Sequence, residues 1–164
     1  MLIYKVEFET PASPGISRIP PKRYCFDHGI RQVFGPVSLR IPEIFEERGR
    51  MNATYLGGIF ENAVLNELKP HETQKTVAWR KAVNGSEVDF LFTRSQRTIP
   101  IEVKSTTKIN RRHFTSLLEY LDFSGKKEGL LISGGKGSVH SQKGKTITQV
   151  PFYAISQGIR NVSR

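Results

Sequence analysis

Asp89, Glu102 and Lys104 lie in the stretch Ser86–Lys104, SEVDFLFTRSQRTIPIEVK, and are residue types that can act together on a phosphate ester. Two carboxylates can hold a hard divalent cation through oxygen, and an ammonium beside them can orient a water or meet developing negative charge. Such chemistry requires the three to converge. The stretch reads as two strands: Val88, Phe90 and Phe92 alternate with Glu87, Asp89 and Leu91, and Ile99, Ile101 and Val103 with Pro100, Glu102 and Lys104. With Ser95 and Gln96 as a two-residue loop, the register sets Phe90 against Ile101, Asp89 against Glu102 and Glu87 against Lys104. Opposed carboxylates, with Cβ atoms roughly 5 Å apart, repel unless a positive charge lies between them. A plainer reading of the same residues is a charged, solvated sheet face with a Glu87–Lys104 cross-strand pair.

The elements around this hairpin follow from periodicity. In GGIFENAVLNELK, Phe60, Val64 and Leu68, joined by Ile59, Ala63 and Leu65, form an apolar stripe at helical spacing, and Pro70 lies just beyond its end. Glu61 sits beside the stripe near the helix N-terminus. The helix dipole is the ordinary reason for an acid there; the functional one is a third acid over the hairpin. Residues 76–80, TVAWR, read as a strand before an Asn84-Gly85 turn, giving a three-strand meander in which Trp79 is core and Arg80 contacts an acid or a phosphate. Asn110 can cap a helix that buries Phe114, Leu117, Leu118 and Leu121 and leaves Arg111, Arg112 and Thr115 outside. Gly129–Ser133 suits an internal strand, and Thr148–Ala154 the last strand before a tail that frays or forms a short helix.

The N-terminal third is less regular. Residues 1–10 read as one strand, followed by a loop rich in Pro, Gly and Ser; with no local partner, the strand belongs at a sheet edge or to something larger. Tyr24–Phe26 suits a short strand, Asp27 a helix cap and Ile41–Arg48 a short helix. Between residues 134 and 146, GGKGSVHSQKGKT reads as a mobile basic loop able to touch phosphates. Its GKT is not a nucleotide-binding loop, because Val139 stands where the first glycine is needed and a strand follows in place of a helix.

Composition bounds the function. The 164 residues carry 25 Lys/Arg against 15 Asp/Glu, a formal charge of +10, and residues 106–164 alone hold ten basic residues against three acidic. That balance favours an anionic partner, nucleic acid before membrane. No apolar run approaches the roughly 20 residues of a membrane span, and the N-terminus lacks a signal-peptide core, so a cytoplasmic location is expected. The single Cys25 reads as a half-buried structural thiol, and the four histidines are too scattered to form a metal cluster.

Helix, three strands, helix, strand, strand, with acids at Glu61, Asp89 and Glu102 and Lys104 two residues after the last, resembles the PD-(D/E)xK nuclease superfamily. The resemblance implies an α/β fold with a restriction-endonuclease-like αβββαβ core and a mixed central sheet flanked by helices. A further resemblance, spread over YCFDHGIR (24–31), GGIFENAVLNEL (57–68), WR (79–80), EVDFLF (87–92), IPIEVKS (99–105), KKEGLLIS (126–133) and VPFYAI (150–155), is to the C-terminal domain of unknown function of many AAA+ ATPases. It implies a strand and loop left from a winged helix at 1–23, a nuclease-like domain at 24–156 and a tail at 157–164. It also implies Asp89, Glu102 and Glu61 as ligands of Mg²⁺ or Mn²⁺ with Lys104 assisting. The function expected is metal-dependent phosphodiester hydrolysis of DNA. The alternatives are a non-catalytic module that binds nucleic acid or docks on an AAA+ ATPase, and a remnant that folds and does nothing; a homodimer is compatible with either active form.

Overall fold

The computed structural model describes residues 3–11, 19–27, 53–82 and 85–162. The helix expected at Ile41–Arg48, whatever follows Asp27, and Asn84 of the expected turn lie outside them. Along the chain run β1 (Ile3–Val6), β2 (Phe8–Glu9), β3 (Lys22–Cys25), α1 (Ala53–Leu68), β4 (Gln74–Arg80), β5 (Glu87–Arg94), β6 (Arg97–Lys104), α2 (Thr115–Ser124), β7 (Glu128–Ser133), β8 (Ser138–Gln142), β9 (Lys145–Pro151) and α3 (Ile155–Val162). The protein is α/β. Its seven-stranded mixed sheet has the order β2-β4-β5-β6-β7-β9-β8, and β1 pairs with β3 in a separate two-stranded sheet. Among the described residues no helix is long and apolar enough to cross a membrane.

Alternation along each strand supplies two cores, one on each face of the sheet. On one, Phe90, Phe92, Ile101, Val103 and Ile132 meet Phe60, Val64 and Leu68 of α1, Ile159 of α3, and Val6, Phe8 and Tyr24 from the N-terminal strands. On the other, Trp79, Val88, Leu91 and Leu131 meet Phe114, Leu117, Tyr120 and Leu121 from α2 and the turn before it. Leu118 is half-buried against this second core, and Tyr120 takes the deeper place, 5.4 Å from Trp79 ring to ring. The α2 face begins where the Asn110 side chain accepts from Arg112 N and His113 Nδ1 accepts from Asn110 N, a reciprocal cap.

The central hairpin is built as its sequence predicts at the turn end. Phe90 pairs with Ile101 and Arg94 with Arg97, and Ser95 and Gln96 have φ of 49° and 65°, the left-handed pair of a type I′ turn. The other end departs from simple alternation. Val77 is opposite Leu91 and Trp79 opposite Val88, so β5 spends three steps where β4 spends two. This bulge at Asp89–Phe90 breaks the expected single face: Val88 packs with Leu91 on the α2 side, whereas Phe90 and Phe92 pack on the α1 side.

The N-terminal strand is split, β1 pairing with β3 and β2 lying parallel to β4 at the sheet edge. Residues 134–146 are not a loop throughout. They include β8, joined to β9 by a second I′ turn at Lys143 (φ 50°) and Gly144 (φ 72°). Alternation was hard to read there because β8 is an exposed edge strand with no apolar face of its own. The last strand consequently starts earlier, at Lys145, and ends at Pro151; α3 follows, its Gly158 lying so close to Val150 that a Cβ would come within 2.7 Å of that side chain.

Candidate active site

The three acids and the lysine singled out by spacing, Glu61, Asp89, Glu102 and Lys104, gather at the open end of the β5–β6 hairpin. Regular pairing stops at Phe90 and Ile101, and the next hydrogen bond across the gap is made by a side chain: Val103 N donates to Asp89 Oδ2 at 2.9 Å. The strands part here, and the bulge turns Asp89 toward α1. Ile101 and Val103 enter the α1-side core, so Glu102 and Lys104 stand on the opposite side, where Lys104 pairs with Glu102 Oε1. The cluster therefore straddles the sheet through the opening instead of lying on one face. The expected Glu87–Lys104 pair does not form. Glu87 is taken by its neighbour across the β4–β5 ladder, Arg80, whose Nε donates at 2.8 Å, while Lys104 turns to Glu102.

Lys22, which the sequence reading passed over, lies at the centre of the α1 side. Its ammonium is 3.0 Å from Glu61 Oε2 and 2.9 Å from Asp89 Oδ1, and it also pairs with Glu87. Tyr24, two residues on and on the same side of β3, donates its hydroxyl to Glu61 Oε2 at 2.7 Å. Asn62 and Asn66, one turn apart on α1, hold this strand by its backbone. Asn62 accepts from Cys25 N at 2.7 Å and donates to Cys25 O at 2.9 Å, and Asn66 donates to Phe26 O at 2.8 Å. The place of Lys22 is thus set by a clamp that engages main chain. Cys25 itself is half-buried with a free thiol.

Four carboxylates (Glu61, Glu87, Asp89, Glu102) face three cations (Lys22, Lys104, Arg80), leaving an excess of negative charge. Glu102 feels it most: its side chain is 4% exposed, its Oε2 is buried without a hydrogen-bond partner, and burial, then the charge of Asp89, push its carboxyl up to about 8. Burial and Asp89 push Glu61 up as well. Burial works against the charge on Lys22, but its carboxylate neighbours, led by Asp89, outweigh it and hold the ammonium protonated well above the usual lysine range. Lys104 is raised in the same way by Glu102, and with a side chain 34% exposed it is the part of the cluster that meets solvent most.

The fit to a divalent cation is partial. As the side chains stand, no three His, Cys, Asp or Glu among the described residues converge on one point that a metal could fill. Glu61 is engaged by Lys22 and Tyr24. Asp89 and Glu102 do fit in donor type and charge: hard oxygens, a surplus negative charge and one buried oxygen with no partner.

Lys104 ends β6, and the same end of the sheet carries a basic rim. Lys108, Arg111 and Arg112 follow β6 and Lys136 follows β7, all exposed. Lys136 lines an open cavity of about 640 Å³ with Thr107, His140 and Gln149 in its wall and Tyr153, 90% exposed, at its edge. Beneath it Ser133, the register partner of Lys104, accepts from Gln149 Nε2 at 2.9 Å.

Residues 56–153, well over half of the chain, match the family described as Domain of unknown function (DUF4143), a domain commonly found in AAA-ATPase-associated proteins. No curated protein matches the chain.

Proposed function

The chain belongs to the DUF4143 family, and from the geometry of its acidic cluster we propose that it is a metal-dependent phosphodiesterase acting on DNA. The observation that carries the reading is Glu102, buried beside Asp89 with one oxygen unpartnered and Lys104 on the other. The order of α1, β4, β5, β6, α2 and β7 is also that of the αβββαβ core that the sequence resembles.

Asp89 and Glu102 would hold Mg²⁺ or Mn²⁺, with Glu61 adjoining. The chemistry supplied by such an ion when bound is polarisation of a phosphoryl oxygen and a lowered pKa for its water. Asp89 would ligate in an orientation set by the Val103 amide on Oδ2 and the Lys22 ammonium on Oδ1. Lys104, protonated and part-exposed, would orient an attacking water or meet charge on the phosphate. The basic rim at the end of β6 and β7 would hold the backbone through contacts that do not depend on sequence.

Lys22 favours a second reading. Because the chain's own ammonium already pairs with Glu61, Glu87 and Asp89, a non-catalytic module that binds nucleic acid or docks on an AAA+ ATPase is also consistent with this site. The test is cleavage of plasmid and branched DNA with Mg²⁺ or Mn²⁺. Native protein is expected to cut, and Asp89→Ala and Lys104→Ala to lose at least about 100-fold while still binding DNA. Salt-sensitive binding without metal-dependent cutting would overturn the enzyme in favour of the module.

A further inference from the structure

Hydrolytic sites that join several carboxylates often take two divalent ions roughly 3.5–4 Å apart, the pair sharing one bridging acid. Here Asp89 is the acid common to both sides of the cluster. Its Oδ1 faces the α1 side and its Oδ2 faces the β6 backbone, next to Glu102. Toward Glu102 there is a surplus of negative charge and an unpartnered oxygen, nine-tenths buried or more. Toward Glu61 a cation is already in place, because Lys22 lies there within hydrogen-bond distance of Glu61 and Asp89 and pairs with Glu87. The ammonium is not a stray surface group. Its side chain is 20% exposed, Tyr24 fixes the Glu61 oxygen it shares, and Asn62 and Asn66 hold its strand to α1.

We infer that Lys22 is a tethered substitute for a second metal ion, so that the cluster accepts one divalent cation, between Asp89 and Glu102, and no more. Glu61 then acts through Lys22, keeping the ammonium against Asp89, and is a positioning residue and not a ligand. The inference rests on the metal-dependent reading above and sharpens it: two positive centres, one divalent ion and the Lys22 ammonium, would lie on opposite sides of Asp89, with Lys104 left to meet the substrate phosphate. A cation fixed on the chain cannot be chelated away, so only one of the two positive centres depends on metal supply.

The experiment is a calorimetric titration of the native chain and of Lys22→Ala with Mn²⁺ alone, without DNA, with thermal melts of both proteins with and without the ion. One Mn²⁺ per native chain and two per Lys22→Ala chain are expected. The variant's melting temperature should be lowered without metal and rise further on adding Mn²⁺ than that of the native chain. If Lys22→Ala does not fold, Lys22→Ala/Glu87→Gln removes one of the three stranded charges and keeps Glu61 and Asp89; it too should bind two. Two ions on the native chain, or one on a folded variant, would overturn the inference and leave the phosphodiesterase reading standing. No Mn²⁺ on any of them would overturn both.

Discussion

The two ends of the β5–β6 hairpin are built from the same two strands and are opposites. At the turn end pairing is unbroken from Phe90–Ile101 to Arg94–Arg97, and the Thr93 and Thr98 hydroxyls bond across the ladder at 3.1 Å. At the open end the ladder gives way to a carboxylate, a bulge and buried charges that remain incompletely neutralised. The first arrangement is what local sequence preference and hydrogen bonding produce when nothing else is asked. The second stores unfavourable charge, as sites that bind or react do.

The largest effect should come from removing the ammonium that makes the open end tolerable. Lys22→Ala leaves Glu61, Glu87 and Asp89 crowded together in partly buried surroundings. It should cost about 3 kcal/mol of stability at pH 7 without metal, read by urea denaturation. Next is the clamp that places it. Asn62→Ala strips partners from Cys25 N and Cys25 O and should cost about 2 kcal/mol in the same assay.

Glu102→Gln should act in the opposite direction, making the open end more like the closed one. With its folded pKa raised from 4.5 to about 8, Glu102 binds its proton more tightly in the folded than in the unfolded chain. Its contribution to stability therefore falls as pH rises through that window and is lowest above it. The raised pKa of Glu61 works in the same sense. Metal-free native protein should lose stability between pH 5 and 8 on this account, whereas Glu102→Gln should flatten the profile and be more stable by about 1 kcal/mol at pH 8. A melting temperature lower than native at pH 8 would contradict the assignment of Glu102 as a strained charge. The smallest change sharpens the closed end: Ser95→Asn with Gln96→Gly supplies residues suited to two positive φ angles and should add roughly 0.5 kcal/mol, visible as a rise in melting temperature.

The contrast also explains what could be read in advance. The closed end is local, so alternation and a two-residue loop were enough to place Phe90 against Ile101. The bulge at Asp89 was not legible, because it depends on how β5 meets β4 and leaves no mark in β5 alone. Lys22 was missed because it lies 39 and 67 positions from the acids it serves, just after a run of prolines read as loop. A faint signal was present. Tyr24 had been placed in a strand, and period two puts Lys22 on its side, so a lysine aimed inward implied acids to receive it. The edge strand β8 escaped for the reverse reason, having no inward side to reveal it.

The long reach of Lys22 has a kinetic consequence. Its contacts close loops of 39 and 67 residues, whereas the Ser95–Gln96 turn closes one of two, and chain entropy sets a higher barrier to the longer closures. The hairpin can form early; the acid cluster is complete only when the N-terminal strand arrives. Interactions made that late are absent from the transition state, so losing them should quicken unfolding and leave the folding rate nearly untouched. The acid cluster should then be the last part of the described fold to assemble and the first to come apart.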